Sequence, residues 1–295
     1  MRLVTRLKTI SEIEKLDQLG IDVFCLDTKF TAKKINHFSL FEIKTLANRL
    51  PNRIYILVNQ MIHETDLESL NTFFKDLQST NIAGIVINDF SVYIVASKYN
   101  MENLVIYQPG TYNTDTYSKT YLAKRNLKGL TISREITIEE IKDFKNQDIE
   151  LSIIGHGYLD MFYSKRELIT NYFIHKEITG KQVKNNYDFK LREEIRELDF
   201  YPILEDEFGT HIFRSKKLIS YDQVNILRPL IKDFFIERIF LSDKELHASI
   251  QLYTNQLTLN DFLTQYQDYD SGFYKIRTEK VKGELNENWV ISSSW

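Results

Sequence analysis

A recurring rhythm constrains this chain more than any single motif. Short runs rich in Val, Ile, Leu and Phe return at Leu3–Leu7, Val23–Leu26, Ile54–Val58, Ile82–Ile87, Leu104–Tyr107, Gly129–Ile132 and Glu150–Ile154, with helix-forming segments between them. A strand covered on both faces reads as a continuous apolar run, which is the pattern of a parallel sheet. Parallel neighbours need a crossover connection, usually a helix. After a looser stretch, one more run appears at Glu237–Leu241. About eight such units predict an α/β fold, a (β/α)8 TIM-like barrel. It is expected as one domain over residues 1–295, with an irregular polar insertion around 160–220.

Helix punctuation agrees with this reading. Ser11 with Glu14 and Ser39 with Glu42 have capping-box spacing, and Gly20 and Pro51 stop the helices that follow. Further helices are expected at Thr65–Ser79, Ser91–Tyr99, Thr116–Asn126, Thr137–Lys145, Tyr221–Phe235 and Lys244–Gln265.

Composition excludes several classes. The single cysteine, Cys25, lies mid-run; it permits no internal disulfide and no cysteine-ligated cluster or zinc site, and it reads as a buried strand residue. A formal charge of -3 gives no global reason to expect nucleic-acid binding, although a local basic face remains compatible with it. No apolar stretch approaches a membrane span, and charges interrupt the first eight residues where a signal peptide would need an apolar core. A cytoplasmic location without membrane contact is expected.

Barrels of this kind carry their sites at the C-terminal ends of the strands. The polar residues just after the apolar runs are Asp27, Thr28, Asn59, His63, Asn88 and Asp89, followed by Gln108, Asn113, Arg134, Glu135 and His156. This mixture suits a polar or anionic small molecule. His156 stands between two glycines directly after a strand, where both a general acid–base role and a structural hydrogen bond are open. Phosphate-loop, dinucleotide, zinc-protease and serine-hydrolase motifs are missing. His156 with Asp160 and Glu167 is one metal arrangement that the sequence leaves open.

Two stretches are basic. One holds Lys119, Lys124, Arg125 and Lys128; the other runs from Lys165 and Arg166 to Arg196 and interleaves Tyr172, Phe173, Tyr187 and Phe189. Cations with aromatic rings suit RNA. Glu177, Asp188, Glu193 and Glu194 dilute the second stretch and fit an ordinary solvated loop.

The segment Gly155-His-Gly-Tyr-Leu-Asp-Met-Phe-Tyr-Ser-Lys-Arg-Glu-Leu-Ile-Thr-Asn-Tyr172 resembles the signature of the collagenase-like peptidase family U32. The stretch Phe200-Tyr-Pro-Ile-Leu-Glu-Asp-Glu-Phe-Gly-Thr-His-Ile212 is similar to that family's Glu-Asp-x-x-Gly-x-x-Ile segment, and Ser133-Arg-Glu-Ile136 and Val58-Asn59 add weaker matches. The resemblance implies a barrel whose mouth uses His156, Arg134, Glu135 and Asn59 as catalytic groups, with Lys33, Glu205 and His211 binding substrate. Lys33 stands where the family has an arginine. The iron–sulfur ligand cysteines of the family are replaced by Asp160, Glu167 and Ile219, so no cofactor is expected in this chain.

The pattern is similar to the short member of a bacterial pair implicated in hydroxylating wobble uridine of tRNA to 5-hydroxyuridine, with prephenate as a required metabolite. That resemblance implies a longer, cysteine-bearing family member as partner, and tRNA contacted by Lys165, Arg166, Lys124 and Arg125. The alternatives are a peptidase of the same family and a catalytically inactive barrel scaffold.

Overall fold

The computed structural model describes residues 1–144 and 149–276. Its strands are β1 Arg2–Arg6, β2 Val23–Asp27, β3 Ile54–Val58, β4 Gly84–Ile87, β5 Val105–Tyr107, β6 Gly129–Thr131, β7 Glu150–Gly157, β8 Asp160–Ser164, β9 Lys190–Arg192, β10 Phe200–Asp206, β11 Gly209–Phe213, β12 Lys217–Ile219, β13 Asp233–Ile236 and β14 Tyr269–Asp270. Its helices are α1 Ile13–Leu19, α2 Leu40–Arg49, α3 Leu67–Leu77, α4 Phe90–Ser97, α5 Thr116–Ala123, α6 Ile138–Lys142, α7 Leu168–His175, α8 Val224–Leu227, α9 Asp243–Tyr253 and α10 Leu259–Gln265.

Among the described residues, β1 to β7 pair in parallel order, and β13 closes the circle by pairing with both β7 and β1. The result is the expected (β/α)8 barrel. Side chains alternate along each strand, which splits the apolar residues into two cores. The outward set, including Phe24, Ile56, Ile85 and Leu130, packs under the helices. The inward set, including Val4, Cys25, Leu57, Val86, Ile106 and Phe235, fills the barrel. At the N-terminal end of the barrel the filling turns polar. Arg2 Nε donates to Asp233 Oδ1 at 2.7 Å, and the buried Tyr55 hydroxyl donates to Asp233 Oδ2 at 2.7 Å. Gly84 makes room for the Tyr55 ring, since a Cβ there would sit 2.7 Å from a ring carbon.

The expected insertion lies between β7 and β13 and is built as a small antiparallel sheet, in the order β8-β11-β10-β9. Strands β8 and β9 face solvent in part and carry no continuous apolar run, whereas β10, with Phe200–Leu204, is buried along most of its length. This sheet forms a lid. It is clasped to the loop after β2: the Lys33 amide donates to Asp206 Oδ2 at 2.6 Å, the Tyr187 hydroxyl donates to the Lys34 carbonyl at 2.7 Å, and Lys34 pairs with Glu207 at 2.6 Å.

Several boundaries differ from expectation. The last barrel strand is Asp233–Ile236 instead of Glu237–Leu241, and the helix expected over Tyr221–Phe235 ends at Leu227. Pro229, which has no N–H to donate, follows shortly after. The final helix divides into α9 and α10, with Asn255 left-handed between them (φ 59°). The first capping box uses Thr9 and Glu12, not Ser11 and Glu14, while Ser39 with Glu42 and the Gly20 stop stand as expected. Helix α6 closes at Lys142; Lys145, its expected end, lies outside the described residues. No helix among the described residues is long and apolar enough to cross a membrane.

The Gly84–Tyr55 fit carries a prediction. Gly84→Val overpacks the barrel floor and is expected to cost about 1–3 kcal/mol in urea unfolding. An unchanged midpoint would show that the Tyr55 ring does not depend on that space.

Candidate functional site

The strand ends and the lid enclose a cavity of about 400 Å³, within the roughly 300–1,000 Å³ usual for small-molecule sites. Its floor is apolar: Cys25, Leu57, Val86, Ile154 and Phe235. Around the rim stand Arg6, Asn59, Asn88, Gln108, Arg134 and Glu237, each at or just beyond the end of a barrel strand. The roof comes from the lid: Asp160, Met161, Phe162 and Tyr163 on β8, and His211 on β11.

The rim is anchored by a buried ion pair. Arg6 Nε and Nη2 donate to the two oxygens of Asp27 at 2.9 and 2.6 Å, and Nη2 also donates to the Lys33 carbonyl at 2.7 Å. Glu237 lies 3.6 Å from the same guanidinium. Burial alone would weaken the arginine's hold on its proton, but the Asp27 and Glu237 charges outweigh it and raise its pKa. Burial, then Asp27, pushes the Cys25 thiol up, so it stays protonated.

Lys33 is left-handed (φ 56°), an unusual conformation for a lysine. It points its ammonium at Asp160, with which it forms a short ion pair. Burial would raise the Asp160 pKa; Lys33, Arg134 and His211 together overcome that and hold it below the usual carboxylate range. Three buried polar atoms of cavity-lining residues hydrogen-bond to no protein group: Asp160 Oδ1, Arg134 Nε and His211 Nε2. The His211 ring stacks on Tyr163 at 4.8 Å.

The sequence expectations divide. Arg134, Asn59, Lys33 and His211 line the cavity. His156 does not: it is fully buried in the barrel wall. Its Nδ1 meets the Tyr253 hydroxyl at 3.1 Å, and its Nε2 meets Ser249 Oγ at 2.8 Å and the Tyr269 hydroxyl at 3.2 Å. The cause is a bulge. The β7–β13 register slips between Ile154 and His156, so the cavity-facing phase ends at Ile154. Gly157, left-handed at φ 103°, then passes so close to Glu237 that a Cβ would lie 2.4 Å from its carbonyl oxygen. Glu135 is half-buried and outside the cavity lining. Glu205 is fully buried in the lid, where Oε2 accepts from the Ile169 amide at 2.8 Å and the Thr170 amide at 3.2 Å, which caps the start of α7.

The two basic stretches do not form one surface. Lys165 and Arg166 are exposed on the lid directly after β8. Lys124 and Arg125 end α5 and lead into the first residues of β6, at the opposite end of the barrel, where Arg125 packs 3.8 Å over the Tyr121 ring. Lys119 is buried. Reasoning from sequence missed Arg6, Glu237 and the Met161–Tyr163 roof. Glu237 directly follows a strand, which was a usable signal; the lid residues gave none.

The positions read as replaced cluster ligands have separate fates. Asp160 is tied to Lys33, Glu167 pairs with Lys184 at 2.6 Å, and Ile219 offers no donor atom. This set does not fit a thiolate-bound cluster. Among the described residues no group of three His, Cys, Asp or Glu side chains is placed to hold a metal ion, and His156 is turned away from Asp160's cavity.

The setting of His156 predicts acid sensitivity. Burial, then Lys217, pushes it down to about 3, whereas in the unfolded chain it titrates near its ordinary value of about 6.5. Between these values the unfolded chain binds the extra proton. Stability therefore falls as pH falls, by up to about 1.4 kcal/mol per pH unit from this group. His156→Asn is expected to flatten the stability curve between pH 6.5 and 4.5 relative to the unsubstituted protein. Parallel curves would mean that the histidine is protonated in the fold.

Comparison with known proteins gives a consistent grouping. A profile of peptidase family U32 matches residues 19–289. The chain is 25% identical over 265 residues to tRNA hydroxylation protein P2 of Bacillus subtilis strain 168, covering 87% of this chain and 85% of that protein. It is 29% identical over 168 residues to tRNA hydroxylation protein P of Haemophilus influenzae, covering 54% of this chain and 36% of the relative. With tRNA hydroxylation protein P of Escherichia coli K12 it shares 23% identity over 240 residues, 66% of this chain and 52% of that one. The chain thus spans most of the P2 relative and about half or less of the two P relatives. With residues 19–289 matched by the profile, this chain belongs to peptidase family U32.

Proposed function

We propose that this chain is a cluster-free subunit of a tRNA hydroxylation system, acting in the cytoplasm on wobble uridine beside a longer, cysteine-bearing member of the same family. The observation that carries this reading is a coincidence of two facts. The relative it matches nearly end to end is a tRNA hydroxylation protein, and the cluster-ligand positions are occupied by Asp160, Glu167 and Ile219. In this reading the redox step, and the use of prephenate, belong to the partner. This chain binds and positions, with Arg134, Asn59, Lys33 and His211 facing the cavity ligand and Lys165 and Arg166 meeting RNA phosphates.

Peptide hydrolysis has less support. It drew on His156, which is buried and held neutral, and the Cys25 thiol is kept protonated. A thiolate, not a thiol, is the nucleophile.

Two measurements test the reading. Nucleoside mass spectrometry of tRNA from a strain lacking the gene is expected to show loss of 5-hydroxyuridine and its derivatives. A tagged copy is expected to co-purify the longer family member. Unchanged nucleosides in a strain without a redundant route would overturn the proposal.

A further inference from the structure

Two exposed surfaces lie outside the cavity lining, and their chemistries complement each other. The first is the turn that joins β9 to β10. Ile195 and Leu198, on that one turn, stand 90% and 94% exposed. An aliphatic side chain held almost wholly in water gains nothing from folding, and two on one turn form a projecting apolar knob. The charges around the knob are acidic. From Arg192 to Asp199 there are two arginines against four carboxylates, a net of -2. Arg196 is engaged within the lid, 3.6 Å from Glu193 and bonded to the Tyr201 hydroxyl at 3.1 Å. Among the described residues, the exposed Glu194 and Glu197 carboxylates form no ion pair.

The second surface is the outward stripe of α5. Tyr117, Tyr121 and Lys124 recur at i, i+4 and i+7, so they share one helix face. Tyr117 is 86% exposed and Tyr121 53%. Arg125 lies over the Tyr121 ring at 3.8 Å. Helix α4 extends this face: the Tyr93 hydroxyl donates to the Arg125 carbonyl at 2.9 Å, and the next residue, Ile94, is exposed. The acid nearest in sequence, Asp115, caps the far end of α5 and accepts from the Ser118 amide at 2.8 Å. Among the described residues, neither Lys124 nor Arg125 forms an ion pair. The result is an aromatic face edged by two uncompensated cations.

Like charge sets the acidic knob against RNA phosphates and anionic lipid. What it fits is an apolar face with a basic rim, and the α4–α5 face is one. Within one copy the two stay apart, because the knob is on the lid and Lys124 and Arg125 lead into the start of β6. The match is therefore one between copies.

We propose that the β9–β10 turn of one copy docks on the α4–α5 face of a second copy of this chain. Ile195 and Leu198 meet Tyr117 and Tyr121, and Glu194 and Glu197 meet Lys124 and Arg125. The contact joins two different surfaces, so copies close into a ring where the rotation allows and otherwise continue head to tail. This inference stands apart from the hydroxylation reading and does not depend on it.

The test is sedimentation velocity on the purified full chain. One turn buries little area, so association is expected as concentration rises to about 100 µM. The weight-average mass is expected to climb above the 35.0 kDa of one chain. It is expected to fall back as salt is raised from about 50 mM to about 500 mM, which screens exposed charges. Leu198→Asp, at a solvent-facing turn position, is expected to abolish the rise. Charge reversal supplies the second arm. Glu194→Lys with Glu197→Lys in one variant, and Lys124→Glu with Arg125→Glu in another, are each expected to stay single. Mixed in equal amounts, the two are expected to associate again. In the mixture the unaltered turn of one meets the unaltered face of the other, and the two reversed surfaces also attract.

A mass of 35.0 kDa at every concentration overturns the proposal, and so does association that both variants retain. Variants that stay single when mixed overturn the pairing of these two surfaces. If the unaltered chain stays single while Leu198→Asp loses a co-purifying longer relative, the turn docks that relative and the second-copy assignment falls. If the variant with Lys124→Glu and Arg125→Glu still associates but binds a fluorescent RNA stem-loop more weakly, the α5 face is an RNA contact and the assignment falls.

Discussion

The mouth of this barrel is organised by the Arg6–Asp27 pair. Both residues end adjacent strands, and both are buried, at 5% and 0% exposure. Taking two charges out of water costs several kcal/mol each, and only full hydrogen bonding offsets it. Here the bonding is extensive. Asp27 Oδ2 also accepts from the Ile35 amide at 2.8 Å, and Arg6 also donates to the Lys33 carbonyl. The pair therefore fixes the loop after β2 from inside. That loop in turn places the Lys33 amide for Asp206 and its ammonium for Asp160. The position of the lid thus depends on a charge pair in the barrel. The cavity exists because neither part alone encloses it.

Much of the barrel was legible because its signal is local. An apolar run of four to six residues followed by an amphipathic segment says strand and helix without reference to anything distant. Ser39 with Glu42 and the stop at Gly20 are equally local, and both stand. What failed was set by pairing. The last barrel strand was displaced by four residues because Asp233 looks like a helix surface residue until its partners, Arg2 and Tyr55, are known. His156 was misplaced because a bulge is a property of two strands, and one sequence shows only one of them. Glu205 was carried over from the family resemblance, and its role at the start of α7 depends on the Ile169 and Thr170 amides, 36 and 35 residues away in sequence.

Asp160 shows how the same position takes on a different role. Where the family resemblance expects a thiolate, this chain puts a carboxylate, and the facing position is Lys33. An ion pair is a redox-inert substitute that still joins the lid to the barrel. Its ammonium uses one carboxylate oxygen. The other, Oδ1, is left buried and unpartnered above the cavity.

Strand β8 connects the two halves of the proposed role. Its first residues, Asp160 to Tyr163, roof the cavity, and the residues that follow directly, Lys165 and Arg166, are exposed cations on the lid's outer edge. Phosphate contacts position a nucleic acid without reading it, whereas base contacts read. Lys165 and Arg166 lie in the bend that directly follows β8, so the chain keeps them within a few residues of the roof. Lys124 and Arg125 lie at the other end of the barrel, away from that roof. Of the two basic stretches, only the one on the lid follows directly on cavity-lining residues.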